Sequence, residues 1–156
     1  LDSYGDLYHK LKKIGADLVL DSVNNIIENK INLKPQINTS NLNSANKLNK
    51  ENCKIEWTMK ASKVYNMIRG LSPYPGAHCF LVHKKETLKI IIYSSKIEIE
   101  THRLNNGQII IEKKQIKIAT TDGFIIPQEI KVQGKKRMSV SDLMNGFKFD
   151  LDSKFI

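Results

Sequence analysis

The residues with the clearest chemical potential in this sequence are three consecutive cations. Lys135, Lys136 and Arg137 follow Gly134 and precede a serine that could cap a helix, in the segment GKKRMS. A loop here would present three charges to solvent, where lysine and arginine can neutralise nucleic-acid phosphates and release counterions. From the triplet alone, a solvated basic turn is the more common outcome. The segment is therefore a hypothesis for phosphate contact, with that turn as its alternative.

Six further lysines could extend this basic surface. They fall at a second predicted turn, in a polar linker and on a predicted helix, and are Lys113, Lys114, Lys47, Lys50, Lys60 and Lys63. The chain carries 25 Lys and Arg against 16 Asp and Glu, and its net charge of +9 is spread over both halves. Such an excess favours a polyanionic partner, nucleic acid first and an acidic lipid surface second, although many soluble domains are simply basic.

Other reactive side chains do not assemble into a recognisable active site. The four histidines are His9, His78, His83 and His102. No two have the i, i+4 spacing of a helical metal site, and His78 and His83 differ in parity along a strand, so we predict no metal site. Cys79 with His78 as its base is an equally poor candidate for a nucleophilic active site, since sequence neighbours on a strand point to opposite faces. We assign no catalytic residue.

The cysteines and the hydropathy indicate the setting of the chain. Cys53 and Cys79 form no C-x-x-C pair, which fits a reduced, cytoplasmic location. No apolar run approaches the roughly 18 to 20 residues of a membrane span, and no secretory signal is evident. The chain begins without methionine, in a segment typical of a helix start inside a larger protein, so we interpret it as a fragment.

The first element is a long amphipathic helix, predicted over residues 5–29 and capped by Ser3 or Asp6. Its apolar stripe has spacings of 4, 3 and 4 residues and consists of Leu7, Leu11, Ile14 and Leu18. Such a stripe needs a surface to cover, and no strand precedes it. We expect it to pack on the rest of the fold or on another copy, or to stay mobile. An ordered helix exposed to solvent would contradict this.

A polar segment and a second helix follow. Residues 32–52 are rich in asparagine, whose amide competes for local backbone groups, and they predict a linker that is extended or disordered, with a short turn at SANKL. The second helix is predicted near Thr58–Arg69, ended by Gly70. Its apolar face consists of Ala61, Val64, Tyr65 and Ile68.

The joint after this helix, Ile68–Ala77, contains two prolines and two glycines. The prolines restrict their own backbone and that of the residues before them, so the joint should hold the helix rigidly against a strand. We interpret it as structural. Trp57 is assigned to the core rather than to a base-stacking platform, and Tyr74 is interpreted as a structural plug.

From Ala77 onward the pattern indicates strands. Five or six short apolar runs are separated by turn signals at residues 83–86, 105–107, 113–114 and 121–123. This spacing favours a small barrel or sandwich. Pro127 suggests an edge or a bulge, and Ser139 with Asp142 predicts the cap of a short helix closed by Gly146. The fold class is therefore mainly β with flanking helices (α+β).

Two motifs resemble a known family, methionyl-tRNA formyltransferase, in its C-terminal part. The first is IEWTMKASKVYNMIRGLSPYPGA, in which Tyr74 stands where the family usually has tryptophan. The second, GKKRMSVSDLMNG, matches at Gly134, Lys135, Lys136, Met138, Ser139, Asp142 and Leu143. The opening helix is similar to the last helix of the family's catalytic domain, so the resemblance covers essentially the whole chain.

The resemblance implies an architecture. It predicts an open, Greek-key barrel similar to oligonucleotide-binding folds (OB-like), preceded by a linker and by a helix separated from its own domain. Residues 1–31 would be the last helix of a truncated catalytic domain, 32–52 the interdomain linker, and 53–156 the C-terminal, tRNA-binding barrel domain.

The resemblance also implies a function. The family transfers a formyl group from 10-formyltetrahydrofolate, its co-substrate, to initiator methionyl-tRNA, and the C-terminal barrel helps to hold the tRNA. Its catalytic residues lie upstream of this sequence, so this chain should be inactive alone and bind no cofactor itself. The implied partners are initiator methionyl-tRNA and the missing N-terminal catalytic domain, not a membrane, and homo-association through the first helix stays open.

Two alternatives remain. The chain could be the matching domain of a related sugar-nucleotide formyltransferase, or a non-catalytic β interaction domain whose charge is incidental. The GKKRM segment discriminates against the first, because an enzyme acting on a small sugar nucleotide has no need of such a phosphate-facing cluster. Absence of any RNA affinity would favour the second.

Overall fold

Seven antiparallel strands and three helices make up the fold of the computed structural model, which describes residues 1–37, 42–84, 86–150 and 152–156. The helices are α1 (Tyr4–Ile27), α2 (Ala61–Leu71) and α3 (Val140–Gly146). The strands are β1 (Ala77–His83), β2 (Glu86–Ile99), β3 (Ile109–Glu112), β4 (Gln115–Ala119), β5 (Gly123–Val132), β6 (Arg137–Ser139) and β7 (Lys154–Phe155). The predicted mainly β fold with flanking helices is confirmed.

The strands form one curled sheet in the order β3-β4-β5-β2-β1-β7, with β6 pairing β5 beyond the end of β4. Three hairpin-connected strands, β3 to β5, are followed in space by β2, which is the Greek-key arrangement. A bridge between Gln108 and Lys154 joins the two edges of the sheet. Gly107 lies at this contact with a φ of +83°, and any β-carbon there would overlap the carbonyl oxygen of Phe155. The edges therefore meet closely enough to complete an open barrel.

Pro127 lies at a bulge, as one of the two sequence alternatives predicted. The pairing of β2 with β5 shifts register between Ile92 and Ser95, and Ser95 is opposite Pro127. The strand β5 is flanked on both sides, by β2 and by β4 with β6, so the edge alternative does not apply. The missing amide hydrogen of proline is tolerated because the ladder is already interrupted there.

A single core joins the helix α2 to the barrel. Trp57 is 4% exposed and its ring lies edge-on to Phe155, with 5.8 Å between the ring centroids, so its assignment to the core is confirmed. The predicted apolar face of α2 is buried except for Tyr65, which is half-buried. The predicted end at Gly70 is wrong: the helix continues to Leu71, because burial of that side chain outweighs the stop signal of the glycine.

The helix α1 begins where the sequence predicted, but its surroundings differ. Ser3 caps it, with Asp6 N donating to Ser3 Oγ and Ser3 N donating to Asp6 Oδ2 at 2.9 Å. No residue of α1 is buried, and the four stripe residues are between 47% and 63% exposed. The expectation that the stripe packs on the rest of the fold is therefore wrong: in the described part of the chain, α1 contacts α2 and the residues just after it through its N-terminal end.

Two hydrogen bonds attach the start of α1 and the residues just before it. Gly5 N donates to Ser72 O at 2.9 Å, and the Arg69 guanidinium donates to Asp2 O at 2.9 Å. From Asp6 to Ile27 every residue of α1 is exposed except Gly15, which is half-buried. Within the described residues, no helix is both long and apolar enough to cross a membrane.

The predicted linker has no regular structure over residues 32–37 and 42–49, and its residues 38–41 lie outside the described part. The short turn predicted at SANKL is wrong, because the turn lies at residues 50–53. Asn49 and Asn52 stabilise it by exchanging two bonds, each from a backbone N–H to the other side-chain oxygen at 2.8 Å. Asparagine therefore places this turn, as its side chain favours.

Candidate nucleic-acid interface

The β5–β6 turn presents two of the three consecutive cations to solvent. Gly134 adopts a φ of +77°, a left-handed conformation that glycine accepts without strain, and Lys135 N donates to Val132 O at 2.9 Å to close the turn. Lys135 and Lys136 are exposed, and the described residues offer neither an ion-pair partner. The two ammonium groups are therefore available to an anionic ligand.

Arg137 is placed differently from its two neighbours. It starts the strand β6 instead of lying in the loop, so the expectation of three loop cations is wrong at this position. Its guanidinium bonds to Glu129 at 2.5 Å and lies 4.4 Å from the centroid of the Tyr93 ring. Both contacts orient the guanidinium over the outer face of the sheet, and Glu129 offsets part of its charge.

The sequence analysis missed a cation that lies beside Arg137 on the neighbouring strand. Lys131 is directly opposite Arg137 on β5, and Ile91 and His78 follow opposite it on β2 and β1. Paired residues share a face, so Lys131 and Arg137 point to the same side of the sheet. Two like charges placed opposite each other on paired strands destabilise the fold. An anionic ligand bound between them would relieve this repulsion, so we consider the pair a candidate binding site.

A signal for Lys131 was present in the sequence. Lys131 stands between Ile130 and Val132, which are both 3% exposed, so its side chain alternates to the outer face. Lys89, on β2, likewise lies beside the buried Ile90. These lysines were overlooked because each is isolated between apolar residues, and only strand pairing brings them beside the basic turn.

Lys113 and Lys114 form the tip of the β3–β4 hairpin. Lys113 has a φ of +54°, and both side chains are exposed. They share a cavity of about 340 Å³ with Gln128 on β5 and with Ser139, where β6 ends. The structure thus brings this pair next to the β6–α3 junction.

Lys60 and Lys63 lie at the opposite end of β5. Lys60 is the N-cap of α2, and Ala61 N donates to Asp122 Oδ1 at 2.7 Å, just before β5 starts. Lys135 follows the end of that strand, which spans 10 residues and hence about 30 Å. The nine candidate cations therefore do not form one continuous patch.

Lys47 and Lys50 lie in the exposed segment before the barrel. Lys47 O accepts a bond from Asn52 Nδ2 at 2.9 Å, and Lys50 lines a cavity of about 230 Å³ with Tyr74, His78 and Lys89. Tyr74 is 78% exposed, so its interpretation as a structural plug is wrong. The residues on both sides of Tyr74 are prolines, and its ring lies at the edge of the cavity, mostly in solvent.

The electrostatics around His78 identify a second positive region. Burial lowers the pKa of the His78 imidazole, and Lys89 and Lys54 lower it further. The neighbouring Cys79 thiol has a raised pKa because of its burial, which leaves it protonated and unreactive. His78 is therefore a neutral ring flanked by cations.

The remaining histidines have structural contacts. His83 Nδ1 is 2.9 Å from Ser153 Oγ and 3.6 Å from Asp150 Oδ2, which ties β1 to the segment before β7. His102 Nε2 is 3.2 Å from Gly123 O. Among the residues that the structure describes, no three His, Cys, Asp or Glu side chains group as metal ligands.

Comparison with known proteins agrees with this architecture. The sequence profile described as "Formyl transferase, C-terminal domain" matches residues 47–148. A relative named methionyl-tRNA formyltransferase, from Flavobacterium johnsoniae, is 42% identical over 153 residues, which are 98% of this chain and 49% of that protein. One of the same name from Bacteroides fragilis is 34% identical, over 94% of this chain and 47% of that protein. The chain spans about half the length of these curated relatives.

Solved structures share the fold. The crystal structure of a HypX variant from Aquifex aeolicus superposes with a TM-score of 0.56 at 16% identity, over 86% of this chain and 24% of that one. Similarity at this level of identity concerns the fold alone. Since the family profile covers the first part of the barrel through α3, including both motifs, this chain belongs to the formyl transferase C-terminal domain family.

Proposed function

We propose that this chain is the C-terminal, tRNA-binding portion of a methionyl-tRNA formyltransferase. The relatives of that name, which the chain matches over about half their length, support this assignment. In this proposal residues 1–31 end the catalytic domain, 32–52 are the interdomain linker and 53–156 are the barrel domain. The chain has no catalytic residue of its own and is inactive alone.

The basic turn of the barrel carries the proposal for tRNA binding. Lys135 and Lys136 are exposed and unpaired within the described structure, and Lys131 and Arg137 lie opposite each other just beside them. Four cations at one end of two strands suit the phosphate backbone of a folded RNA, whose charges they neutralise. Lys113 and Lys114, which share a cavity with Ser139 at the end of β6, extend the surface.

The proposal also assigns separate roles to the barrel and to the upstream part of the enzyme. The barrel holds and orients initiator methionyl-tRNA, while the upstream catalytic part transfers the formyl group from 10-formyltetrahydrofolate to the methionine amine. Backbone contacts position a nucleic acid but carry no sequence information directly. The barrel therefore contributes affinity and orientation, and discrimination between tRNAs belongs mainly to the upstream part.

The test is tRNA binding by this chain across a salt series. We expect log affinity to fall with log salt at a slope that indicates roughly three to six released counterions. The paired substitution Lys135→Gln/Lys136→Gln should lower that slope by about two, because each phosphate-contacting lysine contributes about one. Initiator and elongator tRNA should bind with similar affinity.

The matched control removes the same charge from another adjacent lysine pair. Lys12 and Lys13 are exposed on α1, far from the barrel turn, so Lys12→Gln/Lys13→Gln should leave the slope unchanged. An equal decrease for both variants would mean that only net charge matters. No binding even at low salt would contradict the proposal.

A further inference from the structure

The joint between α2 and β1 lies firmly on the outer face of the barrel. Gly76 N donates to Leu71 O at 2.9 Å, and Gly76 has a φ of +85°. A β-carbon at Gly76 would be 2.6 Å from Ile91 Cγ2, so this backbone is in direct contact with β2. On the other side, Gly5 N of α1 donates to Ser72 O. The backbone of the joint is therefore held from both sides.

Tyr74 is the exposed residue at the tip of this held backbone. Its side chain is 78% exposed, and the described residues provide neither a hydrogen bond to its hydroxyl nor an aromatic or cationic partner to its ring. A large aromatic ring in water, on a backbone whose ordering is already complete, is suited to stacking. Because this backbone is already ordered, it loses less conformational entropy on binding a ligand than a flexible loop would.

Cations surround the cavity beside that ring. Lys50 and Lys89 line the cavity of about 230 Å³ together with Tyr74 and His78. Lys54 is close enough to lower the pKa of His78, and its own carboxylate partner, Glu56, is 3.8 Å away. The described acidic side chains do not line this cavity, so its charge is positive.

We propose that Tyr74 and this cavity form a stacking site for an unpaired RNA base, with Lys50 and Lys89 contacting the adjoining phosphates. The choice of RNA as the ligand rests on the proposed function. Alternation of an aromatic platform with cations is the arrangement by which proteins hold single-stranded nucleic acid, since every base has a face that can stack. A base inside a duplex is already stacked on both sides, so the site selects unpaired segments.

This site differs from the basic turn in chemistry, and the two adjoin: Gln133 N, just before the turn, donates to Lys89 O at 2.8 Å. The turn offers lysines to a phosphate backbone, which a duplex presents as well as a single strand does. The joint offers a ring, which requires an exposed base. The two regions are expected to respond differently to the form of the RNA.

The test is binding of a single-stranded RNA of about 12 nucleotides, which is within the usual site size, and of a duplex of the same length. Tyr74→Ala should weaken single-strand binding about 5- to 100-fold and leave duplex binding unchanged. Tyr74→Phe keeps the ring and should retain the affinity. Lys89→Gln should reduce the salt slope for the single strand by about one.

The matched control is Tyr8→Ala, which removes an exposed tyrosine on α1 and should change neither affinity. The thermal unfolding midpoint of Tyr74→Ala should equal that of the parent chain, since the Tyr74 side chain is in solvent. Unchanged single-strand affinity in Tyr74→Ala overturns this inference. If tRNA binding still depends on Lys135 and Lys136 in that case, the proposed function stands; if no RNA binds at low salt, both fail.

Discussion

The helices α1 and α2 have comparable apolar stripes in very different surroundings. In α2 the stripe residues Val64 and Ile68 are at most 1% exposed, whereas in α1 Leu11 and Ile14 are 56% and 60% exposed. Both helices were predicted from the same periodicity. The difference shows that a stripe specifies which side of a helix needs covering, and that the covering surface must come from elsewhere in the protein.

The same comparison applies to the two positive regions of the barrel. The basic turn is visible in the sequence because its cations are consecutive. The region around Tyr74 is assembled from Lys50, His78 and Lys89, which are distant in sequence. The pairing of β1 with β2 and the bridge between Lys54 and His78 bring them together. Local patterns therefore locate one region, and the topology creates the other.

The largest expected effect separates the two helices directly. Ile68→Ala should reduce the free energy of unfolding by about 2–5 kcal/mol, because it leaves a cavity in the core. Ile14→Ala, the same substitution on α1, should stay within about 0.5 kcal/mol, since its side chain is already in water. Urea unfolding of both variants measures this. A comparable loss for Ile14→Ala would mean that the α1 stripe is covered in solution, for instance by another copy.

The two serine caps provide the next comparison. Ser139 Oγ accepts from Asp142 N at 3.0 Å at the start of α3, which packs on the barrel, so Ser139→Ala should cost about 1 kcal/mol of unfolding free energy. Ser3→Ala removes the equivalent cap from α1 and should reduce helical circular dichroism without shifting the main unfolding transition. A shift equal to that of Ser139→Ala would show that α1 and the barrel unfold together.

The next prediction is a gain in the stability of the helix α1. Gly15 lies inside the helix with open space around it, so Gly15→Ala should stabilise the helix by about 0.4–1 kcal/mol. The measurement is the thermal loss of the helical signal, compared with that of the parent chain. Gly76→Ala, in contrast, should destabilise the barrel, because its φ is positive and Ile91 leaves no room. A loss of helicity in Gly15→Ala would indicate an unseen contact on that face.

The smallest effect is a pH dependence of the barrel. The pKa of His78 is lowered in the folded chain by burial and by Lys89 and Lys54, so the unfolded chain binds its proton more tightly. The contribution of His78 to stability is therefore complete above the ordinary value of about 6.5 and is lost as pH falls below it. His78→Gln should make the unfolding midpoint depend less on pH in this window. An identical profile in both proteins would assign the pH dependence to other groups.

The secondary structure was predictable where local chemistry decides it. The Ser3 cap and the turns at Lys113–Lys114 and Thr121–Gly123 follow from residue preferences within a few positions, and the structure places each accordingly. The ends of α2 and the turn at residues 50–53 were misplaced. Burial of Leu71 and the reciprocal bonds of Asn49 with Asn52 decided them, and neither is visible in a propensity.

By itself, the sequence determined the fold class, the basic turn and the family, because these depend on periodicity, on consecutive charges and on local motifs. The tertiary structure alone decided that Arg137 is paired with Glu129, that Lys131 joins it across the sheet, and that Tyr74 points into solvent. It also left the α1 stripe uncovered. The physical reason is that pairing and burial depend on residues far apart in the chain, so strand register and packing, rather than local preference, determine which side chains meet.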